Sequence, residues 1–151
     1  MIETLFYHLE RRALQDVLPG LIEKSLERGW RALIRAESAE RAEMIDNLLW
    51  TYDDSSFLPH AQAGDGDSAR QPVLITVEEA NANAANVLFL VGGARADWSA
   101  LDGFTRVVAM FDGRDAEMLA RAREDWKQAR SAGHEVTYWK ESPSGKFEKQ
   151  D

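Results

Sequence analysis

The sequence lacks cysteine, and it also lacks any apolar run approaching the ~20 residues that a membrane-spanning helix requires. Without cysteine, the chain forms no disulfide bonds and supplies no thiolates for an iron–sulfur cluster or a zinc site. The first residues, MIETLFYHLERR, do not have the basic head and long apolar stretch of a secretory signal peptide. We therefore expect a cytoplasmic protein that does not contact a membrane.

Positive charge is scarce as well. Lys and Arg together number 18 against 26 Asp and Glu, which gives a net charge of -8 over 151 residues. An acidic protein of this kind repels phosphate at long range, so general adhesion to nucleic acid is disfavoured. We expect no direct, sequence-specific contact with nucleic acid, and any basic patch on this background needs an explanation.

Apolar segments typical of strands alternate with longer, amphipathic segments typical of helices. The predicted strands are Glu3–Leu9, Trp30–Ala36, Pro72–Val77, Asn86–Val91, Thr105–Phe111 and His134–Lys140. The predicted helices cover residues 13–29, 38–50 and 114–133. Continuous apolar strands between helices are typical of a mostly parallel sheet that is covered on both faces, so we predict a three-layer α/β/α sandwich.

Two of these helices carry local signals. Pro19 lies inside the first helical pattern and predicts a bend or a late start, because proline lacks the N–H that a helix interior uses. Ser38 precedes the second helix and is a favourable N-cap residue. The apolar stripe of that helix is predicted to consist of Met44, Ile45, Leu48 and Leu49.

A single α/β domain is predicted over residues 1–140, since the sequence contains no internal repeat and no second domain-like pattern. Residues 51–71 are polar and rich in Gly, Asp and Ser, which predicts a long irregular connection. Residues 141–151 show no periodicity and are predicted to form a loose, flexible C-terminal tail without an assigned role.

No motif for catalysis or cofactor binding is complete. VGGARAD, over residues 91–97, follows a strand but lacks the third glycine of a dinucleotide-binding fingerprint, so its glycines are interpreted as turn residues. Asp53 and Asp54 are adjacent carboxylates in a turn-like context that favours capping or solvation. The histidines are His8, His60 and His134. They are far apart in the sequence, and we expect no enzyme active site, no metal and no cofactor.

The last predicted helix gathers cations beside one large aromatic residue. The arc that should face the sheet contains Met118, Ala122 and Ala129. Trp126 lies at the edge of this arc at ~100° per residue, and Arg123, Lys127 and Arg130 follow beyond it. An apolar slot beside several positive charges suits a peptide that carries acidic residues and ends in an apolar side chain or a free carboxylate.

A plainer interpretation of the same residues stays open. A tryptophan at the edge of a helix can simply pack, and basic residues late in a helix interact favourably with the negative end of its dipole. Glu124 and Asp125 would also neutralise part of the patch. Periodicity alone does not decide between a solvated charged face and a binding site.

Several segments, in order along nearly the whole chain, resemble the chi subunits of the bacterial DNA polymerase III holoenzyme. These segments are FYHL, RGWRALIRAES, LLWTYDDSSFLPHAQAGDGD, QPVLI and WKQARSAGHEVTYWK. The most specific of them is the LW…SFLPH run, which is followed by a glycine-containing loop and a strand that begins with proline. The resemblance depends on the order and spacing of the segments together.

The resemblance implies a non-catalytic accessory subunit whose α/β fold is similar to nucleotide-binding domains. It implies two protein partners, which are the acidic C-terminal tail of single-stranded-DNA-binding protein and the psi subunit that links the family to the clamp loader. Position by position, Arg123, Trp126 and Lys127 fall on the family's tail-binding pattern, and Arg130 lies next to it. Trp126 replaces an aromatic of another type, and Leu119 stands at an earlier basic position of the pattern.

The surface for psi is predicted either near the connection 51–71 or around Trp98. Two other functions are weighed against this reading. The first is a small nucleotide-binding α/β enzyme, because doubly wound sheets often bind nucleotides at the carboxyl ends of their strands. The second is direct binding of DNA, which the negative net charge disfavours.

Overall fold

The fold is described from a computed structural model, which covers residues 2–52, 59–64, 67–101 and 103–150. The helices are α1 (Leu14–Glu27), α2 (Ala39–Thr51) and α3 (Ala116–Ser131), with a 3-10 helix at Ser68–Arg70. The strands are β1 (Glu3–Leu9), β2 (Ala32–Ala36), β3 (Ala61–Gln62), β4 (Val73–Thr76), β5 (Val87–Val91), β6 (Arg106–Asp112), β7 (Glu135–Glu141) and β8 (Phe147–Gln150). All six predicted strands and all three predicted helices are present, with ends that shift by a few residues.

The strands form one sheet in the order β3-β4-β2-β5-β6-β1-β7-β8. Each described pair of neighbours is parallel except β7 with β8, which is antiparallel. Every residue of β2, β4 and β5 is buried, as expected for central strands of a parallel sheet that is covered on both faces. The predicted class, a mostly parallel three-layer α/β sandwich, is confirmed.

Two apolar clusters lie on the two faces of the sheet. Helices α1 and α2 contribute Val17, Ile22 and Ile45 to one cluster. Helix α3 contributes Ala122 and Ala129 to the other cluster, together with the loop that follows β5. Since β1 runs through α1 to β2 on one side and β6 runs through α3 to β7 on the other, the chain reverses its winding between β6 and β1.

Helix α1 begins at Leu14 and continues through Pro19 to Glu27, so the late start predicted from the proline is wrong. Pro19 is buried, and the backbone N–H of Ala13 at the N-cap is satisfied by the carboxylate of Asp16 at 3.0 Å. Burial of the apolar face of α1 against the sheet offsets the hydrogen bond that the proline cannot donate.

Helix α2 is capped as predicted, because the Ser38 hydroxyl accepts from the backbone N–H of Arg41 at 3.1 Å. Its buried residues are Ala42, Ile45 and Leu49. Met44 was assigned to the apolar stripe but is 60% exposed, so that part of the prediction is wrong. At ~100° per residue Met44 lies roughly 130° from the middle of the arc that Ala42, Ile45 and Leu49 form, so the buried stripe is rotated away from it.

The long connection and the C-terminal segment both contain more regular structure than the sequence indicated. The connection 51–71 contains β3, which pairs with β4, and the 3-10 helix. The segment expected to be a loose tail turns at Ser142–Lys146 and returns as β8, whose Phe147 pairs with Glu141. No helix in the described residues is long and apolar enough to cross a bilayer.

Candidate functional site: a groove between α3 and the edge of the sheet

The position of α3 follows from its two ends. Asp115 caps the first turn, where its carboxylate accepts from the backbone N–H groups of Glu117 and Met118 at 3.0 and 3.2 Å. Gly133, with a φ of +88°, ends the helix and turns the chain into β7. Between these ends the helix packs on β6, β1 and β7.

Trp126 lies where the helical wheel places it, at the border between the core and the surface. It is half-buried and packs against the apolar cluster under α3, while Ala122 and Ala129 are fully inside. The guanidinium carbon of Arg130 lies 4.8 Å from the centre of the indole ring, which is a cation–π contact. Two of the four predicted site residues thus form one unit.

An open groove with a volume of about 510 Å³ adjoins this unit. Its lining residues are Trp126, Arg130, His134, Val136, Thr137, Tyr138, Lys149 and Gln150. The groove runs between α3 on one side and β7 with β8 on the other. The indole is therefore neither sealed in the core nor isolated on a convex surface.

Arg123 and Lys127 complete the predicted set and are both exposed on α3. Arg123 is close enough to Tyr138 for its charge to oppose the effect of burial, which raises the pKa of the Tyr138 phenol. Lys127 is one helical turn from Arg123 and from Arg130, so the three cations occupy one face of the helix. The groove lining includes Arg130 but neither Arg123 nor Lys127, which lie beside it.

The acidic neighbours of Trp126 are engaged by another residue. Arg95, in the loop after β5, lies 3.0 Å from the Asp125 carboxylate and 3.9 Å from that of Glu124. Burial raises the pKa of Asp125, although its hydrogen bond with Arg95 works in the opposite direction. These carboxylates are thus partly balanced by Arg95, which leaves more of the positive charge of the α3 face uncompensated.

The hydroxyl of Tyr138 is hydrogen-bonded to a buried histidine, His8. Nδ1 of His8 lies 2.6 Å from the Tyr138 hydroxyl, and Nε2 of His8 lies 3.0 Å from a carboxylate oxygen of Glu10. Burial lowers the pKa of His8, and the charges of Lys140 and Arg123 lower it further against the opposing effect of Glu10. A neutral His8 that accepts from the phenol fits this environment, so the Tyr138 ring is fixed in place beside the groove.

His134 contributes its ring to the groove but not a free nitrogen. Nε2 of His134 lies 2.6 Å from the backbone carbonyl of Trp98, and Nδ1 accepts from the backbone N–H of Ile2 at 3.4 Å. Because a carbonyl can only accept, Nε2 is the protonated nitrogen. His134 therefore ties the start of β1 and the loop that contains Trp98 to the start of β7.

The strand side of the groove was not predicted from the sequence. Val136 and Tyr138 alternate along β7, and this period of two was a signal that both side chains face the same side of the sheet. Nothing in the sequence indicated that α3 covers that face, or that Lys149 and Gln150 return beside it. That information depends on strand order, which a local pattern does not contain.

A second cavity, of about 260 Å³, lies at the carboxyl ends of β1, β5 and β6, where the winding of the chain reverses. Arg12, Arg41 and Arg114 line it together with Gly92 and Gly93. Each arginine already contacts an acidic side chain; the partners are Glu141 at 3.5 Å, Glu37 at 3.2 Å and Asp112 at 3.1 Å, respectively. The cavity occupies the usual place of a nucleotide in doubly wound folds, but its cations are locally paired.

The other motifs considered in the sequence do not add a candidate site among the described residues. Asp53 and Asp54 lie outside the described residues, as does most of the SFLPH segment. His60 lies 3.2 Å from the Asp46 carboxylate, far in the fold from the groove described above. In the described part of the chain, His, Asp and Glu side chains do not gather in groups of three that could hold a metal ion.

The fold and the groove define a class: a doubly wound α/β domain that carries a cation–aromatic groove between its last helix and the edge of its sheet. Comparison with known proteins identifies the family. The sequence model of the DNA polymerase III chi subunit, HolC, matches residues 1–137. The chain therefore belongs to the family of DNA polymerase III chi subunits.

Individual relatives agree with this assignment. The chain is 30% identical over 141 residues to the DNA polymerase III subunit chi of Escherichia coli, covering 88% of this chain and 94% of that protein. It is 27% identical over 121 residues to the subunit chi of Haemophilus influenzae, covering 80% and 82%. A probable subunit chi of Rickettsia prowazekii is 33% identical over 91 residues, which span 60% of this chain and 55% of that relative.

Proposed function

We propose that this chain is a non-catalytic accessory subunit of the replicative DNA polymerase, which binds the acidic C-terminal tail of single-stranded-DNA-binding protein on α3. In the same proposal it links that protein to the clamp loader through a psi subunit. Membership of the chi family supports the assignment to the polymerase holoenzyme. The observation that carries the tail-binding proposal is the open groove beside Trp126 and Arg130.

The groove offers the two kinds of contact that an acidic peptide terminus needs. Trp126 and Tyr138 supply aromatic surface for an apolar side chain, and both are half-buried and held in place by the core. Arg130 lines the groove, and Arg123 and Lys127 stand on the same helix face to contact the carboxylates. Arginine also presents forked donors that match a carboxylate in two parallel hydrogen bonds.

The affinity should be modest and sensitive to salt. An exposed ion pair contributes about 0.2–1 kcal/mol, and charges separated by more than ~8 Å are largely screened at physiological ionic strength. Three such contacts plus partial burial of one apolar side chain give a complex that forms and dissociates readily. Such a complex suits transient contact with coated single strands.

The test is a titration of this protein with a peptide that copies the tail of single-stranded-DNA-binding protein, followed by calorimetry or tryptophan fluorescence. Lys127→Ala and Arg123→Glu should each weaken binding at low salt, with Arg123→Glu having the larger effect. Arg70→Glu is the matched control, since Arg70 lies in the 3-10 helix before β4, near the opposite edge of the sheet. No binding by the unaltered protein, or equal effects of Arg123→Glu and Arg70→Glu, would defeat the assigned site.

The contact with psi is proposed on α2, next to the connection 51–71. Trp98, which marks the other location considered, is 3% exposed and belongs to the core, and this favours α2. Trp50 and Met44 are 53% and 60% exposed on α2, which gives this helix two large apolar side chains at the surface. The double substitution Trp50→Ala and Met44→Ala should abolish co-purification with psi and leave binding of the tail peptide unchanged. The proposal is contradicted if both kinds of binding are lost or if both are retained.

A second candidate, nucleotide binding, is favoured only by the cavity at the carboxyl ends of β1, β5 and β6. Its arginines are paired with carboxylates, and Gly92 and Gly93 are followed by a loop and not by the helix of a dinucleotide-binding unit. Thermal unfolding with a panel of nucleoside mono-, di- and triphosphates tests it. A rise in Tm that Arg114→Gln removes would support the candidate, and an unchanged Tm with every nucleotide would reject it.

A further inference from the structure

The β7–β8 hairpin forms the second wall of the groove beside α3. Of the lining residues, Lys149 and Gln150 belong to β8, while the opposite wall consists of Trp126 and Arg130 of α3. We propose that this hairpin is part of the binding site for the acidic peptide terminus, and that Gln150 helps to set its affinity. This inference rests on the proposed function of the α3 face.

Strand register decides how the hairpin meets the groove. Gln150 pairs with Tyr138, and Lys149 pairs with Trp139. Directly paired residues place their side chains on the same face of a sheet, so Gln150 stands beside Tyr138 on the side that α3 covers. By the same rule Lys149, like its partner Trp139 and its strand neighbour Phe147, projects from the opposite face and borders the groove at the edge of the sheet.

The hairpin is fixed to the domain by specific contacts. Phe147 packs edge-on against Tyr7 with ring centroids 4.9 Å apart, and the Arg12 guanidinium lies 5.3 Å from the Phe147 ring. Arg12 also donates to the backbone carbonyl of Gly145 at 2.6 Å. These contacts bind the hairpin to β1 and to the start of α1, so its residues form a wall whose position is set by the core.

The charge of the lining fits an anionic peptide. Arg130 carries a positive charge on the α3 wall, and no Asp or Glu is among the described residues that line the groove. This is unusual in a chain with 26 acidic and 18 basic residues. A peptide with carboxylates near its terminus is therefore the occupant that the electrostatics favour, in contact with the cations of α3.

Most of the hairpin also lies beyond the part of the chain that the family model matches. The family match ends at residue 137, just before Tyr138. The α3 wall is thus inside the shared region, whereas β8 lies beyond it. It follows that the second wall can make the affinity or selectivity of this groove differ between this chain and its relatives.

The experiment compares three substitutions that each lower the net charge of the hairpin by one: Gln150→Glu, Lys149→Gln and Lys146→Gln. All three side chains are exposed, so folding should be preserved, and thermal unfolding checks this. Lys146 lies in the turn and does not line the groove, which makes Lys146→Gln the matched control. The probe is the peptide that copies the tail of single-stranded-DNA-binding protein, titrated at low salt into the full chain.

We expect Gln150→Glu to weaken binding of the peptide by about two- to fivefold, the range of one exposed ion pair. Lys149→Gln, on the opposite face of the same strand, and Lys146→Gln should each change the Kd by less than this, and Gln150→Lys should tighten binding. If Arg123→Glu weakens binding of the peptide but Gln150→Glu behaves like Lys146→Gln, the hairpin proposal is wrong and the α3 site stands. If the unaltered protein does not bind the peptide at all, both proposals fail.

Discussion

The buried carboxylate of Glu141 is predicted to stabilise the whole domain. Its side chain has 0% exposure, and its Oε1 accepts from the backbone N–H groups of Glu10, Arg11 and Arg12 at 3.0, 3.1 and 3.1 Å. Oε2 lies 3.5 Å from Nε of Arg12. One side chain at the end of β7 therefore holds the turn that connects β1 to α1.

The magnitude follows from these contacts. A hydrogen bond to a charged group contributes about 1.5–3 kcal/mol, and water can reach the exposed turn and replace part of what is lost. We expect Glu141→Ala to lower the free energy of unfolding by about 3 kcal/mol, which corresponds to a fall in Tm of roughly 10 °C. Glu141→Gln retains one acceptor oxygen and should cost about half as much.

The pH dependence supplies an independent check. Burial alone would raise the pKa of Glu141, but the three backbone donors and Arg12 together lower it below its usual value of 4.5. A carboxyl group whose pKa is lower in the folded state binds its proton more readily in the unfolded state. Its contribution to the free energy of unfolding is therefore complete at pH values above its pKa in the unfolded chain. That contribution is lost as the pH falls through the folded pKa.

The assay is urea unfolding of the unaltered protein and of Glu141→Gln at a series of pH values from 7 down to 3. The difference in stability between the two should be constant near neutrality and shrink below pH ~4.5. Glu135→Gln, at an exposed position of the same strand, should stay within about 0.5 kcal/mol of the unaltered protein. The reasoning is refuted if Glu141→Ala unfolds like the control, or if the Glu141→Gln difference does not depend on pH.

Three further substitutions test the packing of the fold by urea unfolding. Gly20→Ala should stabilise α1 by about 0.5–1 kcal/mol, because a Cβ at this exposed helical position meets no atom within 4 Å; a loss of stability would contradict this. Gly113→Ala should lower the free energy of unfolding by more than ~2 kcal/mol, since the added Cβ would come within 1.8 Å of Nε2 of buried His8. An unchanged free energy of unfolding would show that His8 can move aside. Arg35→Met should lower the free energy of unfolding by about 2–4 kcal/mol. Arg35 is 5% exposed, and its guanidinium donates to three backbone carbonyls in two loops. A loss below about 1 kcal/mol would mean that those loops do not depend on Arg35.

The elements of the fold were largely predictable because their signals are local. The apolar run Val87–Val91 has the length and composition of a buried parallel strand, and it is one. Ser38 caps α2 as its position before an amphipathic segment predicted. The buried face of α3, with Ala122 and Ala129, follows from the 3.6-residue period of a helix.

Errors arose where a residue's surroundings outweighed its local preference. Pro19 does not delay α1, because packing of the apolar face against the sheet sustains the helix past it. Met44 was placed in the apolar stripe of α2 but is exposed, because the buried arc is centred on Ala42, Ile45 and Leu49 and small Ala42 was not counted in the predicted stripe. The segment after Glu141 has no period, yet it pairs with β7.

The sequence by itself determined a mostly parallel α/β sandwich, and it placed Trp126 at the edge of the buried face of α3 with three cations beyond it. Only the tertiary structure decided that a groove adjoins that tryptophan, with Tyr138, Lys149 and Gln150 along it. The physical reason is the separation along the sequence of the residues involved. Helical and strand periods repeat every few residues and can be read from neighbours, whereas the groove depends on contacts such as that between His8 and Tyr138, which are 130 residues apart.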